Sequence, residues 1–89
     1  MLMEIEFDRA KDQVNTAKHG ISLSAASGFE MAGALVSADD RANYGEDRFI
    51  AVGQLGSRLH VLIFTVRDGK IRAISLRKAN TREVKRHGA

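Results

Sequence analysis

The 89-residue sequence contains no cysteine and no proline. The first absence excludes disulfide staples and thiolate metal sites, and it fits a reducing compartment such as the cytoplasm. The second removes the strongest breaker of helices and strands, so glycine and asparagine must supply the turns. Long apolar runs are absent as well: none is longer than that of Val61-Leu62-Ile63-Phe64, far short of a membrane span. Glu4 and Glu6 stand where a secretory leader would need positive charge, so neither insertion nor export by a leader is expected. A chain of this length reads as a single domain over 1–89. It buries only about 60 to 65% of the surface its unfolded chain exposes, so a partner chain would add markedly to its stability.

Acidic side chains are scarce in one part of the chain. Residues 1–57 hold five Lys or Arg against nine Asp or Glu, while residues 58–89 hold nine against two. Six of those nine are arginine (Arg58, Arg67, Arg72, Arg77, Arg82 and Arg86), whose planar guanidinium grips phosphate with two parallel hydrogen bonds. A cationic block of this composition points to nucleic acid, the alternative being a solvated charged face.

Alternation over Leu2–Phe7 predicts a half-buried first strand, Ile5 and Phe7 on one side and Glu4 and Glu6 on the other. Asp8 is placed to cap a helix over Arg9–His19 that Gly20 ends. On that helix Ala10, Val14, Ala17 and the following Ile21 predict an apolar stripe, and Lys11, Asn15, Lys18 and His19 share an adjoining polar one. Ser22 opens a second helix through about Met31, with Leu23, Ala25, Ala26 and Phe29 as its apolar contacts and Gly33 as its end. Four strands follow, at about 34–39, 47–55, 58–66 and 71–77, separated by Asn43-Tyr44-Gly45, Gly56-Ser57 and Asp68-Gly69. The strand through Leu59–Val66 is apolar on both faces, which puts it in the middle of a covered sheet. Asn80 and Glu83 form a capping box for a last short helix. The order βααββββα is that of an α+β fold, an antiparallel sheet with the two N-terminal helices on one face.

Several segments, taken together and in order, resemble the BrnT toxin family. They are Phe7-Asp8 with Lys11, Asn15-Thr16-Ala17-Lys18-His19-Gly20, Ile21-Ser22-Leu23, Asp40-Arg41 with Tyr44-Gly45-Glu46 and Arg48, Arg58-Leu59 ahead of Phe64-Thr65, and Arg72 with Ile74-Ser75-Leu76-Arg77-Lys78-Ala79 and Glu83. The resemblance implies a RelE-like fold and a ribonuclease toxin, with RNA as substrate. It also implies a ribbon-helix-helix antitoxin that covers the toxin, in a heterotetramer that reaches operator DNA through the antitoxin. Where the family commonly has a tyrosine near the end, this chain has His87, which either takes over acid–base work or is an inert tail residue.

RNA cleavage through the ribose 2′-hydroxyl needs a base, an acid and cations on the phosphate oxygens, and needs no metal or other cofactor. His19 is the candidate acid or base, and its place at a helix C-terminus favours its protonated form. Lys11, on the same stripe, is a candidate to hold the scissile phosphate. Arg67 and Arg77 are expected as clamps on the pentavalent phosphorus, provided that they share a face. A two-residue loop at Asp68-Gly69 would set them apart and a three-residue loop over 67–69 would bring Thr65, Ser75 and Arg77 together, the latter being favoured. Glu83 is a minor candidate for the base. Lys18, Arg72, Lys78, Arg82 and Arg86 are expected to position RNA by its phosphates, or to meet an acidic antitoxin surface. His60 reads as a structural histidine and Tyr44 as either a base-stacking or a turn-packing residue. Asp39, Asp40, Glu46 and His19 lack the spacing of a metal site, so no metal is expected.

Overall fold

The computed structural model describes residues 4–88. Strand β1 (Ile5–Phe7) leads into helix α1 (Arg9–His19), two short 3₁₀ helices (Leu23–Gly28 and Met31–Gly33), strands β2 (Leu35–Ala38), β3 (Phe49–Leu55), β4 (Arg58–Arg67) and β5 (Lys70–Lys78), and helix α2 (Thr81–Gly88). Leu2, the predicted start of the first strand, lies outside the described residues. The strands form one sheet in the order β1-β5-β4-β3-β2. The α+β class is the one expected, and the doubly apolar β4 is central. β2 to β5 are antiparallel, but β1 runs parallel to β5, with Ile5 opposite Ile71 and Phe7 opposite Ala73. The crossover through α1, the 3₁₀ segments and three more strands leaves β1 free to enter the edge in that direction.

The caps are as read from the sequence. Asp8 accepts from the Lys11 amide at 3.1 Å, Gly20 closes α1 in the left-handed conformation at φ 72°, and Asn80 and Glu83 exchange backbone-to-side-chain bonds of 2.8 Å at the head of α2. The predicted second α-helix is instead 3₁₀. Ser24, Ser27 and Gly28 are weak α-formers, and Leu23, Ala26 and Phe29, all buried, recur at intervals of three, the period at which a 3₁₀ helix stacks its side chains on one line. With Ala51, Leu62, Phe64, Ile71, Ala73 and Leu76 they form the main core on one sheet face. A smaller cluster of Leu59, Val61 and Ala79, flanked by Ile50 and Val52, lies on the other, where a groove separates α2 from β2 and β3.

Helix α1 overturns its predicted amphipathicity. Val14 is 65% exposed, Ala10 and Ala17 face solvent, and Asn15 is the residue that is buried, at 4%. The inward face is polar because α1 packs on the sheet edge, where backbone groups need partners. β1 ends its pairing at Ala73, and beyond it the Asn15 carboxamide takes the place of a neighbouring strand, accepting from the Leu76 amide at 3.0 Å and donating to the Leu76 carbonyl at 2.9 Å. It also donates to the Ile21 carbonyl, and Asp12 accepts from Ser22 Oγ and the Leu23 amide, so one polar stripe ties α1 to both of its neighbours.

The last hairpin also differs from the expectation. Its loop has two residues, Asp68 and Gly69, both at positive φ, and Arg67 pairs with Lys70. By parity alone Arg77 would then face away from Arg67. The register shifts between Ile63 and Phe64, however, so that Phe64 pairs with Ala73 and Ile63 with Ser75, leaving Ile74 as an extra, bulged residue. That single residue restores the parity. Ser75 and Arg77 come to the same face as Thr65 and Arg67, while Leu76 enters the main core.

Candidate functional site

A cleft of about 490 Å³ lies between α1 and the edge of β5, lined by Asp8 at the head of the helix, by Ala10, Lys11, Val14, Asn15, Lys18 and His19 along it, and by Ile74 and Ser75 from the strand. Helical spacing puts Lys11, Asn15 and Lys18 on one side of α1, and the Asn15 anchor holds that side against the strand. Lys11 and Lys18 are exposed and make no ion pair among the described residues. His19 is half-buried. Burial, then the charges of Lys18 and Arg77, hold its pKa below the ordinary 6.5, which corrects the expectation that the helix terminus would favour the charged ring. Desolvation and two nearby cations outweigh the partial charge of the helix end, and the ring is mainly neutral at pH 7.

Arg77 thus reaches the cleft by its field, but its guanidinium is engaged elsewhere. Two bonds of 2.8 Å tie it to Glu83, which raises the pKa of Arg77 and draws that of Glu83 down to about 2. A carboxylate so acidic, already accepting from Arg77 and the Asn80 amide, is a poor base at neutral pH, which favours the capping-box role of Glu83 over the catalytic one. Arg67 is not brought to the cleft. It shares the face of Arg77, yet its β4 position is six residues from Val61, the residue opposite Arg77, a separation of about 20 Å at the strand rise of ~3.3 Å per residue. The two cannot hold one phosphate, and Arg67 pairs with Glu46 at 3.3 Å. Arg72 is bound to Glu6 at 2.9 Å across β5 and β1. Lys78, Arg82 and Arg86 are exposed without ion pairs among the described residues.

Elsewhere the polar groups are structural. His60 is buried and its Nδ1 donates to the Arg58 carbonyl at 2.9 Å, as expected of a core histidine. Tyr44 is half-buried with the Arg48 guanidinium 4.1 Å above its ring. Asp39 is buried in a two-bond pair with Arg41 that depresses its pKa to about 2. Among the described residues no group of three or more His, Asp or Glu is arranged to hold a metal ion, and no helix is long and apolar enough to cross a membrane. Reading from the sequence missed Asn15 as the anchor; the signal available was an asparagine in mid-helix, where its side chain competes with the backbone unless it has other work.

Fold and cleft together describe a small α+β protein with an open groove that brings two lysines and a histidine of one helix to the edge of its sheet. Residues 7–83 match the family model described as the ribonuclease toxin BrnT of type II toxin–antitoxin systems, and the chain belongs to that family. Its structure is similar to the 1.1 Å crystal structure of the Brucella abortus ribonuclease toxin BrnT, with 27% identity and a TM-score of 0.72 over 90% of this chain and 100% of that one. No curated protein sequence matches the chain significantly.

Proposed function

We propose that this ribonuclease toxin cleaves RNA without a metal ion, in the cleft between α1 and β5. The observation that carries the reading is the half-buried His19 imidazole, its pKa held below the ordinary value by burial and by Lys18 and Arg77, in one open groove with the Lys11 and Lys18 ammonium groups. A neutral ring can take the proton of a ribose 2′-hydroxyl. The 2′-oxygen then bonds to phosphorus as the bond to the 5′-oxygen breaks, the proton rests on His19, and the departing oxygen takes one from water in the open groove. The product ends are a 2′,3′-cyclic phosphate and a 5′-hydroxyl. Lys11 and Lys18 neutralise the non-bridging oxygens, and Arg77 adds its charge from the strand side, where Glu83 positions it. Lys78, Arg82 and Arg86 track flanking phosphates. The partner in this reading is a ribbon-helix-helix antitoxin, two copies with two of the toxin, acting in the cytoplasm.

Purified chain incubated with RNA tests the reading. Cleavage in excess EDTA that leaves cyclic-phosphate ends is expected, as is a loss of about 10² to 10⁴ in kcat for His19→Ala. Cleavage abolished by EDTA removes the metal-free mechanism, and RNA bound but left intact reduces the chain to a binding module. The rate is expected to rise with pH and level off, its acidic limb centred below 6.5 because the base is the neutral ring; a limb above 7 would assign the base to another group.

A further inference from the structure

The outer edge of β2 and the groove beside it belong neither to the cleft nor to the main core. Every residue of β2 is exposed, Leu35 at 61% and Val36 at 50%, and among the described residues no strand pairs with its outer side. The Asp39 amide donates to the carbonyl of Arg48, the residue before β3, and antiparallel alternation from there turns the Leu35 and Ser37 amides toward β3 and those of Val36 and Ala38 outward. Beside this edge lies a groove of about 260 Å³, floored by Leu35, Ile50 and Val52 and walled on the α2 side by Arg86 and His87. Its polar groups are unanswered. His87 Nδ1 is buried without a hydrogen-bond partner, and Arg86 has no ion pair among the described residues. Glu83, the nearby carboxylate, is already saturated by Arg77 and Asn80.

We infer that this edge and groove are the docking site of the antitoxin, which adds an extended acidic and apolar segment as a sixth strand beside β2. Its backbone pairs with Val36 and Ala38. Because strand side chains alternate, those on the groove side lay an apolar group over Leu35, Ile50 and Val52 and bring a carboxylate to His87 Nδ1 and Arg86. RNA does not fit: the floor is apolar, β2 carries no Lys or Arg, and Asp39 and Asp40 follow it. A second copy of this chain fits less well, since Leu35–Ala38 holds no carboxylate to answer Arg86 and His87. Withdrawing Arg86 from the RNA track would also contribute to neutralisation. The inference rests on the family's antitoxin partner and not on the chemistry in the α1 cleft, so cleavage by the free chain is read separately.

The test is titration of the purified chain with its cognate antitoxin, alongside amide hydrogen exchange of the complex. Val36→Pro removes an outward amide without touching the bonds to β3 and is expected to weaken antitoxin binding at least a hundredfold, with the circular dichroism and RNA cleavage of the free chain unchanged. In the wild-type complex the Val36 and Ala38 amides are expected to exchange at least tenfold more slowly than in the free chain, a readout that stands if the proline variant fails to fold. Ser37→Glu, which puts a carboxylate on the groove wall, is expected to weaken binding at least tenfold. Wild-type affinity in folded Val36→Pro, or unchanged exchange of both amides in the complex, overturns the assignment. So does a free chain that sediments as a dimer and becomes monomeric with Val36→Pro, which would give the edge to a second copy.

Discussion

Asn15 shows how one side chain can substitute for a strand. It sits on the polar stripe that a helical wheel would turn to water, yet it satisfies an amide and two carbonyls at distances of 2.8 to 3.0 Å. Truncation leaves those groups buried and unpaired, each such loss costing about 1 to 3 kcal/mol. Asn15→Ala is therefore expected to lower stability by about 2 to 4 kcal/mol and the melting temperature by more than 8 °C, measured by thermal denaturation. Asn15→Asp should be nearly as damaging, since a carboxylate accepts from the Leu76 amide but cannot donate to the two carbonyls. The reversal of charge preference at His19 is of the same kind. Position on the helix predicted a raised pKa; burial, and after it the charges of Lys18 and the sequence-distant Arg77, decided the opposite.

At the scale of elements the decisive feature is the bulge at Ile74. A two-residue turn and an unbroken ladder would have put Arg77 into the main core and Leu76 into solvent. Deleting Ile74 leaves Ala73 followed directly by Ser75, an unbroken ladder in which Leu76 still meets Leu62 and Arg77 still meets Val61, so a cooperative sigmoidal melt is expected to survive the deletion; loss of that melt would show that the bulge itself is needed to hold the register. Gly53 on β3 marks the other tight contact, because an added Cβ would lie 2.9 Å from Ala34 Cβ and 3.0 Å from Phe29 Cζ. Gly53→Ala is expected to cost about 1 to 3 kcal/mol through overpacking, read from chemical denaturation. Asp8, Gly20 and the Asn80–Glu83 box were legible because caps are local: their partners lie within four residues. The spacing of Leu23, Ala26 and Phe29 was equally visible, and its period of three, not an α-helical one, was the signal for 3₁₀ structure.

For the whole molecule, two carboxylates far apart in sequence link pH to stability. Asp39 and Glu83 are each held near pKa 2 by an arginine, below their ordinary 3.8 and 4.5. A depressed carboxylate contributes its stability above the unfolded value and loses it as pH falls toward the folded one. The denaturation midpoint is expected to be insensitive to these pairs above about pH 4.5 and to fall between about 4.5 and 2. In Glu83→Gln, which keeps the shape and loses the charge, the acid loss should be shallower. Both carboxylates titrate near 2, far below the range of the His19 ring, so acid lability and the His19-dependent rate profile should separate in titration.

The sequence by itself determined the α+β class, the positions of the strands and of both α-helices, the capping residues and the charge asymmetry, all of which follow from periods and neighbours along the chain. It also carried enough of the family's pattern to place the protein among ribonuclease toxins. Only the tertiary structure decided which face of α1 turns inward, how β1 enters the sheet, and whether Arg67 and Arg77 could meet. Those outcomes depend on where unpaired backbone groups fall at a sheet edge and on a one-residue change of register, and neither is encoded in the hydrophobic pattern of any single segment.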